Sequence, residues 1–103
     1  MKGIDTLAEQ LKLLGDKTRL TIVAMLKERT LCVCDIVELL ETSQPNASQH
    51  LRKLKAAGLV SESRKGQWIY YSLHIEDKPE VQAIVNLLPS LKEKVDQLKN
   101  VCD

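Results

Sequence analysis

The sequence has no phenylalanine, and its three aromatic residues make up only 3% of the 103-residue chain. Leucine, valine and isoleucine must therefore form most of the core. No apolar run approaches the roughly 18 residues that a transmembrane helix needs, and the start of the chain lacks the apolar segment of a signal peptide. The sequence thus predicts one domain, located in the cytoplasm and without membrane contact.

Cysteine is also scarce, with three in the chain. In a reducing compartment this number argues against a disulfide framework and leaves metal or redox chemistry open. The sequence contains no nucleophile with a base and an orienting group in a recognisable arrangement. We therefore expect a protein that is not an enzyme and has no small-molecule substrate.

The net charge of +1 is low for a protein that binds nucleic acid, but the charges are unevenly distributed. Residues 43–67 contain five basic residues and one acidic residue, a net charge of +4, whereas residues 1–42 sum to −1 and residues 68–103 to −2. A local basic excess suits a surface that contacts phosphates. Residues 43–67 are therefore the candidate for contact with nucleic acid.

A capped helix is predicted at 43–58. Ser43 is suited to cap its first turn, Pro45 falls where a missing N–H costs nothing, and Gly58 can end the helix in a left-handed conformation. Apolar residues recur at spacings of four, three and three, which predicts a buried stripe on one face. The stripe consists of Ala47, Leu51, Leu54 and Ala57.

The opposite face of this helix is polar and basic. It carries Gln44, Asn46, Ser48, Gln49, His50, Arg52 and Lys53. Most of these side chains are of the kinds that hydrogen-bond base edges or phosphate oxygens. We interpret 43–58 as a DNA-recognition helix, with Ser43 as a further DNA contact at its start. Taken alone, the face equally fits an ordinary surface helix.

The flanking segments favour the DNA-binding interpretation. Upstream, helical periodicity predicts a first helix at 1–14, a largely apolar second helix capped by Asp16, and a third helix just before the recognition helix. Downstream, residues 59–73 are rich in β-formers around a central glycine, which predicts a hairpin. Together these elements predict a mostly α protein with a small β-hairpin, a winged helix-turn-helix in the order α-α-α-α-β-β-α.

The hairpin tip is basic and polar. It carries Arg64, Lys65 and Gln67. These side chains suit contact with phosphate or a minor groove, although a solvated turn would have the same composition. The aromatic residues of the hairpin are expected to pack it against the helices, and they are Trp68, Tyr70 and Tyr71.

A last helix is predicted at 78–101, with Asp77 as its cap and Pro79 in its first turn. Its apolar residues alternate at spacings of three and four, and so narrow a seam usually faces another helix. We expect a homodimer held by 1–14 and 78–101, with packing inside one chain as the alternative. Pro89 should kink or split the helix. The seam comprises Val81, Ile84, Leu88, Leu91, Val95 and Leu98.

Cys32 and Cys34 form the only reactive constellation in the sequence. Thiolates select soft ions, so the pair indicates a thiophilic ligand. Side chains two residues apart share a face in a strand but lie about 200° apart on a helix. If the pair begins the third helix, chelation should unwind its first turn. The distortion would then pass through the Glu41-Thr42 turn to the recognition helix.

Four blocks of sequence carry a family resemblance. They are Leu14-Gly-Asp-Lys-Thr-Arg-Leu20, Leu31-Cys-Val-Cys-Asp-Ile36, Ser43-Gln-Pro-Asn-Ala-Ser-Gln-His-Leu51 with Leu54 and Ala57-Gly-Leu59, and Arg64-Lys-Gly-Gln-Trp-Ile-Tyr-Tyr-Ser-Leu73. In this order they resemble the ArsR/SmtB family of metalloregulatory repressors, in particular its arsenic-responsive branch. The resemblance implies a homodimeric winged-helix repressor that binds operator DNA when metal-free and is released by its inducer. We expect the operator to be an inverted repeat, to match the two-fold symmetry of a dimer.

In the arsenic-responsive branch the inducer is As(III) or Sb(III), which is not permanently bound, and the resemblance assigns its thiolate ligands to Cys32 and Cys34. Some members have a third cysteine three residues after the second, where this chain has Val37. Because trivalent arsenic favours three thiolates, Cys102 is the candidate third ligand, with a spare thiol as the alternative. This sequence lacks the extra N-terminal cysteines of the cadmium and lead type. It also lacks the C-terminal histidines of the zinc type.

Two other functions stay open. A strained C-x-C pair can be oxidised, so the repressor could respond to oxidants or sulfide instead. The fold could also serve as a protein-interaction module without a sequence-specific operator.

Overall fold

The computed structural model describes residues 2–98, which form six α-helices and a three-stranded antiparallel sheet in the order β1-β3-β2. The elements are α1 (Lys2–Leu14), α2 (Lys17–Glu28), β1 (Leu31–Cys32), α3 (Val33–Leu40), α4 (Gln44–Ala56), β2 (Val60–Lys65), β3 (Trp68–Leu73), α5 (Pro79–Asn86) and α6 (Lys92–Asp96). The predicted fold class is confirmed. Helices α3 and α4 form the helix-turn-helix, and the β2–β3 hairpin forms the wing.

Helix α2 lies at the centre of the core, as its apolar sequence predicts. Asp16 caps the helix, because its Oδ1 accepts the Arg19 N–H at 3.0 Å. This hydrogen bond holds the pKa of Asp16 below its ordinary value. Five consecutive residues, Ile22 to Leu26, are buried. Every other helix contacts α2, and so does β3.

Both ends of α4 are formed as predicted. The Ser43 hydroxyl accepts the Asn46 N–H at 3.2 Å, and Pro45 lies in the first turn. At the other end Gly58 adopts φ 78°, a left-handed conformation that favours glycine.

The buried stripe of α4 is one residue shorter than predicted. Three of its members have no exposed surface, and they are Ala47, Leu51 and Leu54. Ala57 is exposed, because the helix ends at Ala56 and Ala57 is its C-cap. The stripe holds α4 against the core while its other face remains accessible.

The turn between α3 and α4 contains a left-handed residue that is not glycine. Glu41 has φ 52° and ψ 47°, which costs a residue with a Cβ on the order of 1 kcal/mol. We expect Glu41→Gly to raise the free energy of unfolding by about 0.5–1 kcal/mol, measured by urea unfolding, because glycine adopts this conformation without strain. Glu41→Ala is the matched control, since alanine keeps the Cβ. Equal stabilities of the two variants would contradict the assignment of strain to Glu41.

The predicted hairpin at 59–73 is confirmed as the wing. Strands β2 and β3 pair from Val60 opposite Leu73 to Lys65 opposite Trp68. This register leaves Gly66 and Gln67 as a two-residue turn, in which Gly66 has φ 61°. A positive φ at the first turn residue matches the twist of the flanking strands.

A short strand that the sequence did not predict, β1, pairs with β3. Leu31 lies opposite Tyr71, and Cys32 lies opposite Tyr70. Two residues are too few to show the alternation that identifies a strand. The pairing puts Cys32 in the same sheet as the wing.

The helix predicted at 78–101 is split in two within the described residues. Helix α5 ends at Asn86, α6 begins at Lys92, and Pro89 lies in the gap between them. Pro89 therefore splits the helix, as predicted, because proline cannot donate the helical hydrogen bond. Residues 99–101 lie outside the described part of the chain.

The apolar seam of this segment packs within its own chain. Val81 and Val95 are at most 1% exposed, and α5 and α6 both contact α2. The Glu28 carboxylate accepts the Leu91 N–H at 3.1 Å, and Arg29 donates to the Val95 carbonyl oxygen at 3.1 Å. Intramolecular packing, the alternative interpretation, accounts for this seam in residues 79–98. A contribution of 78–101 to a dimer stays a prediction.

The predicted cap of α5 is wrong. Lys78 occupies the cap position and makes no side-chain capping hydrogen bond. Asp77 lies one residue too early, and its carboxylate accepts a hydrogen bond from the Lys78 ammonium at 3.0 Å, which lowers the pKa of Asp77. Pro79 does occupy the first turn, as predicted.

Helix α1 leaves most of its apolar face uncovered. Leu14 is buried at its C-terminal end, but Ile4, Leu7 and Leu11 are 57%, 41% and 51% exposed. An exposed apolar stripe at helical spacing is typical of an interface. Helix α1 is therefore a candidate dimer contact.

Candidate functional site

The outer face of α4 presents the side chains that the sequence predicts as DNA contacts. Gln44, Gln49, Arg52 and Lys53 are exposed, and Ser48 is half-buried. In a winged helix-turn-helix this helix is the one that enters the major groove. Their exposure is compatible with the predicted DNA contacts, which stay a prediction.

Two of the predicted DNA contacts have partners within the protein. The Asn46 side-chain amide donates to the Thr42 hydroxyl at 3.0 Å. His50 Nδ1 lies 3.2 Å from a guanidinium nitrogen of Arg19, whose Nε donates to the Leu13 carbonyl oxygen at 2.7 Å. Asn46 thus fixes the start of α4, and His50 joins α4 to the region between α1 and α2.

The wing tip is exposed at Arg64, Lys65 and Gln67. The Lys65 ammonium lies 5.4 Å from the centre of the Tyr70 ring, within the range of a cation–π contact. This contact holds Lys65 at the tip, where its charge remains accessible to solvent. Tyr71 is buried in the core, so its predicted packing role is confirmed. Trp68 and Tyr70 are half-buried, and their packing against the helices stays a prediction.

A cluster that the sequence did not predict connects α4 to the wing. Lys55 of α4 forms an ion pair with Glu62 of β2, and the Tyr71 hydroxyl donates to the same carboxylate at 3.4 Å. The hydrogen bond between Lys55 and Glu62 lowers the pKa of Glu62 and raises the pKa of Lys55. Burial raises the pKa of Tyr71. Because this pair neutralises itself, the basic excess of 43–67 is carried by Arg52, Lys53, Arg64 and Lys65.

Cys32 and Cys34 meet at the junction of β1 and α3. Cys32 is the N-cap of α3 in an extended conformation, and Cys34 lies in the first turn. Their sulfur atoms are joined as a disulfide. The separation expected for two cysteines inside a helix does not apply, because Cys32 lies before the helix. The two sulfurs meet while α3 is wound from Val33 onward, and unwinding of its first turn on chelation stays a prediction.

Asp35 and Cys32 cap α3 reciprocally. The Asp35 N–H donates to Cys32 Sγ at 3.3 Å, and the Cys32 N–H donates to the Asp35 carboxylate at 3.0 Å. The ligand atoms of Cys32, Cys34 and Asp35 lie within 4.8 Å of one another, the one such group in the described chain. Sequence analysis missed the role of Asp35, although an acidic residue three positions after an N-cap is a recognisable signal. Cys102 lies outside the described residues.

A cavity of about 290 Å³ opens beside the cysteine pair. Its walls come from the start of α3, the first residue of α4, and the turn and first residues of the wing strand β3. Besides the cysteines, its lining includes Val37, Gln44, Gln67, Trp68 and Ile69. The cavity therefore joins the thiol pair to both elements that carry predicted DNA contacts.

Comparisons with known proteins agree with this architecture. Residues 16–62 match the family model described as bacterial regulatory protein, arsR family. The chain is 38% identical over 107 residues to the arsenical resistance operon repressor of Escherichia coli, covering 88% of this chain and 91% of that protein. It is 44% identical over 75 residues to the arsenic resistance transcriptional regulator ArsR1 of Pseudomonas putida, covering 72% of this chain and 59% of that regulator.

The solved structure of reduced HlyU from Vibrio cholerae is similar over most of the domain. It superposes with a TM-score of 0.76 at 34% identity, covering 84% of this chain and 88% of that one. Within residues 2–98, no helix combines the length and apolar character needed to cross a membrane.

Proposed function

The chain belongs to the arsR family of bacterial regulatory proteins and is a DNA-binding transcriptional repressor, and from this premise we propose that As(III) or Sb(III) releases it from its operator. The metalloid binds the reduced thiols of Cys32 and Cys34 as an inducer, not as a resident cofactor, with Cys102 as a third ligand. The observation that carries the proposal is the meeting of the two sulfur atoms at the start of α3. Arsenic resistance in the names of two relatives supports it.

Family membership sets aside two other possibilities. The arsR family consists of transcriptional regulators and not of enzymes. Its members bind DNA, so a pure protein-interaction module no longer fits.

Two routes lead from the thiol pair to the DNA-binding elements, one along the chain and one through strand pairing. Cys34 lies in the first turn of α3, and α3 is joined to α4 by the three residues 41–43. Cys32 pairs with Tyr70 of β3, so its backbone also contacts the wing. A metalloid bridging the two sulfurs would change the backbone conformation at the junction of β1 and α3. Both routes would pass this change to α4 and the wing, the elements proposed to bind DNA.

The operator is proposed to be an inverted repeat bound by a homodimer, with half-sites about one or two helical turns apart. The polar residues of α4 enter the major groove, and the basic residues of α4 and the wing contact phosphates. The proposed DNA contacts are Ser43, Gln44, Asn46, Ser48, Gln49, His50, Arg52, Lys53, Arg64, Lys65 and Gln67.

Gln49→Ala and Lys65→Ala should weaken DNA binding in different ways. Loss of the exposed Gln49 amide should relax base preference at one position, at a cost of about 1–3 kcal/mol on the preferred sequence. Loss of the Lys65 charge should weaken binding to all sequences alike. It should also reduce the slope of the logarithm of the binding constant against the logarithm of the salt concentration by about one. Fluorescence anisotropy on operator and random duplexes over a range of salt concentrations measures both effects. The reverse pattern would overturn the assignment of roles.

Operator release by arsenite tests the proposed function. The reduced protein is bound to a fluorescent operator duplex and titrated with arsenite, while absorbance follows the formation of arsenic–thiolate bonds. We expect anisotropy to fall as the absorbance rises, with a similar result for antimonite. Unchanged operator affinity at saturating arsenite would contradict the proposal. Cys102→Ser, titrated in parallel, reports whether a third thiolate contributes.

A thiol-redox response is the second candidate, and the disulfide between Cys32 and Cys34 favours it. Peroxide would take two electrons and two protons from the thiols and leave a disulfide and two waters. In this case peroxide or persulfide would release the operator and arsenite would not. Mass spectrometry of the released protein distinguishes the two functions by the mass added or lost.

A further inference from the structure

Glu62 is the one acidic residue in the basic segment 43–67, and it lies on the wing strand β2. Phosphates repel a carboxylate, so an acid beside a DNA-binding surface lowers the affinity for all DNA. The ion pair with Lys55 also contributes little to folding, because the Lys55 and Glu62 side chains are 51% and 29% exposed and exposed ion pairs are weak. Neither attraction to DNA nor stability therefore accounts for Glu62.

The carboxylate of Glu62 is held from two sides. One oxygen binds the Lys55 ammonium of α4, and the other accepts the Tyr71 hydroxyl at 3.4 Å. Tyr71 lies directly opposite Glu62 in the register of β2 and β3, and it is buried in the core. The carboxylate therefore connects the recognition helix to both strands of the wing, through a tyrosine that the core keeps in place.

Strand β2 is buried only at its first residue. Val60 is buried, but every residue from Ser61 to Lys65 is exposed. Side chains two positions apart share a face of a strand, so Arg64 projects from the same face as Glu62. The position of Glu62 against α4 therefore influences where the guanidinium of Arg64 lies relative to the recognition helix.

Lys55 lies on a side of α4 that carries predicted DNA contacts. It follows Arg52 by three residues and Ser48 by seven, and these spacings place the three side chains along one side of a helix. The ion pair thus joins the wing to the same side of α4 as two side chains that are proposed to contact DNA. Two elements that bind neighbouring parts of a duplex need a fixed relative position to reach their sites together.

We propose that Glu62 is a positioning residue, which through Lys55 fixes the angle between the wing and the recognition helix and so raises the preference for operator over random DNA. This inference rests on the DNA contacts proposed for α4 and the wing. A fixed angle lets the base contacts of α4 and the phosphate contacts of the wing form together on the operator. On random DNA, binding depends on phosphate contacts that tolerate shifts in position.

Glu62→Gln tests the proposal, because electrostatics and positioning predict opposite results for this variant. The amide keeps the size of the side chain, removes the ion pair and frees the charge of Lys55. Electrostatic attraction alone would tighten binding to every duplex. Loss of positioning should instead weaken binding to the operator, while binding to random DNA stays equal or tightens. We expect the ratio of operator to random affinity to fall about tenfold, the effect of losing one base contact.

Fluorescence anisotropy measures both affinities over a range of salt concentrations. The probes are the duplex that the wild-type protein selects from a random-sequence pool and a scrambled duplex of the same composition. Glu93→Gln is the matched control, because it removes one negative charge at an exposed position on α6 and should leave the ratio unchanged. The midpoint of urea unfolding should shift little in Glu62→Gln, which shows that the variant is folded.

Exchange of the two charges provides a rescue. Glu62→Lys alone places two ammonium groups together and should lower the ratio more than Glu62→Gln does. Lys55→Glu combined with Glu62→Lys restores an ion pair of reversed polarity at the wild-type net charge, and we expect this double variant to recover most of the ratio. A change of net charge alone would alter both affinities together and leave the ratio unchanged in these variants.

The outcomes separate this inference from the DNA contacts on which it rests. A lowered ratio in Glu62→Gln that the charge exchange recovers would support the positioning role. An unchanged ratio in Glu62→Gln, or a lowered ratio that the exchange does not recover, would overturn it and leave the proposed contacts in place. If Lys65→Ala also leaves binding to every duplex unchanged, the wing does not contact DNA and both proposals fail together.

Discussion

Cys32→Ser is expected to bind operator DNA as the wild type does and to stay bound when arsenite is added. The substitution removes one of two sulfur ligands, and a metalloid held by a single thiolate loses the advantage of two linked ligands, which is worth about 10²-fold or more. We therefore expect the arsenite concentration for half-release to rise at least about a hundredfold. An anisotropy titration of the bound operator measures the shift.

Serine is the informative replacement because Cys32 also caps α3. Its Sγ accepts the Asp35 N–H at 3.3 Å, and a serine hydroxyl can accept the same hydrogen bond. Cys32→Ala removes the thiol and the cap together, so it should lower the free energy of unfolding by about 1 kcal/mol. A Cys32→Ser protein that is as stable as wild type yet released normally by arsenite would show that Cys32 is not a ligand.

Leu11→Lys is expected to dissociate the homodimer and to weaken operator binding by about 10²-fold or more, because each monomer then binds one half-site alone. Leu11 is 51% exposed on the same uncovered stripe as Leu7, and a charge there would have to be buried in a dimer contact. Analytical ultracentrifugation and anisotropy measure the two effects.

Glu9→Lys is the matched control for the α1 prediction. It introduces the same ammonium group at an exposed position about 200° away from Leu11 around the helix. We expect this variant to remain dimeric. Leu87→Lys tests the C-terminal segment separately, because Leu87 is 84% exposed between α5 and α6. A Leu11→Lys protein that is dimeric with unchanged operator affinity would exclude α1 as the main contact.

The sequence predicted the elements whose signals are local. Ser43 and Asp16 cap their helices, and a short polar side chain just before a run of helical apolar periodicity is a local signal for a helix start. Gly66 occupies the turn of the wing, where two strands of β-formers flank it. The recognition helix and the hairpin were therefore found with nearly correct bounds. Periodicity and capping were sufficient for both.

Sequence patterns were insufficient where the outcome depends on contacts between distant segments. The seam from Val81 to Leu98 has the spacing of a coiled coil, but spacing does not say which surface the seam meets, and α2 of the same chain covers it. The strand β1 exists only because β3 offers it a partner. Without that strand the sequence left open whether Cys32 begins the helix, and therefore whether the two cysteine side chains lie together or apart. The link from Lys55 to Glu62 likewise depends on tertiary packing.

The central claim is that arsenic bound by the thiolates of Cys32 and Cys34 releases the repressor from DNA. X-ray absorption at the arsenic edge, recorded on the protein that arsenite has released from its operator, tests this claim most directly. The account predicts at least two sulfur neighbours of arsenic, two of which remain in Cys102→Ser. Released protein in which arsenic has only oxygen neighbours, or which contains no arsenic, would contradict it.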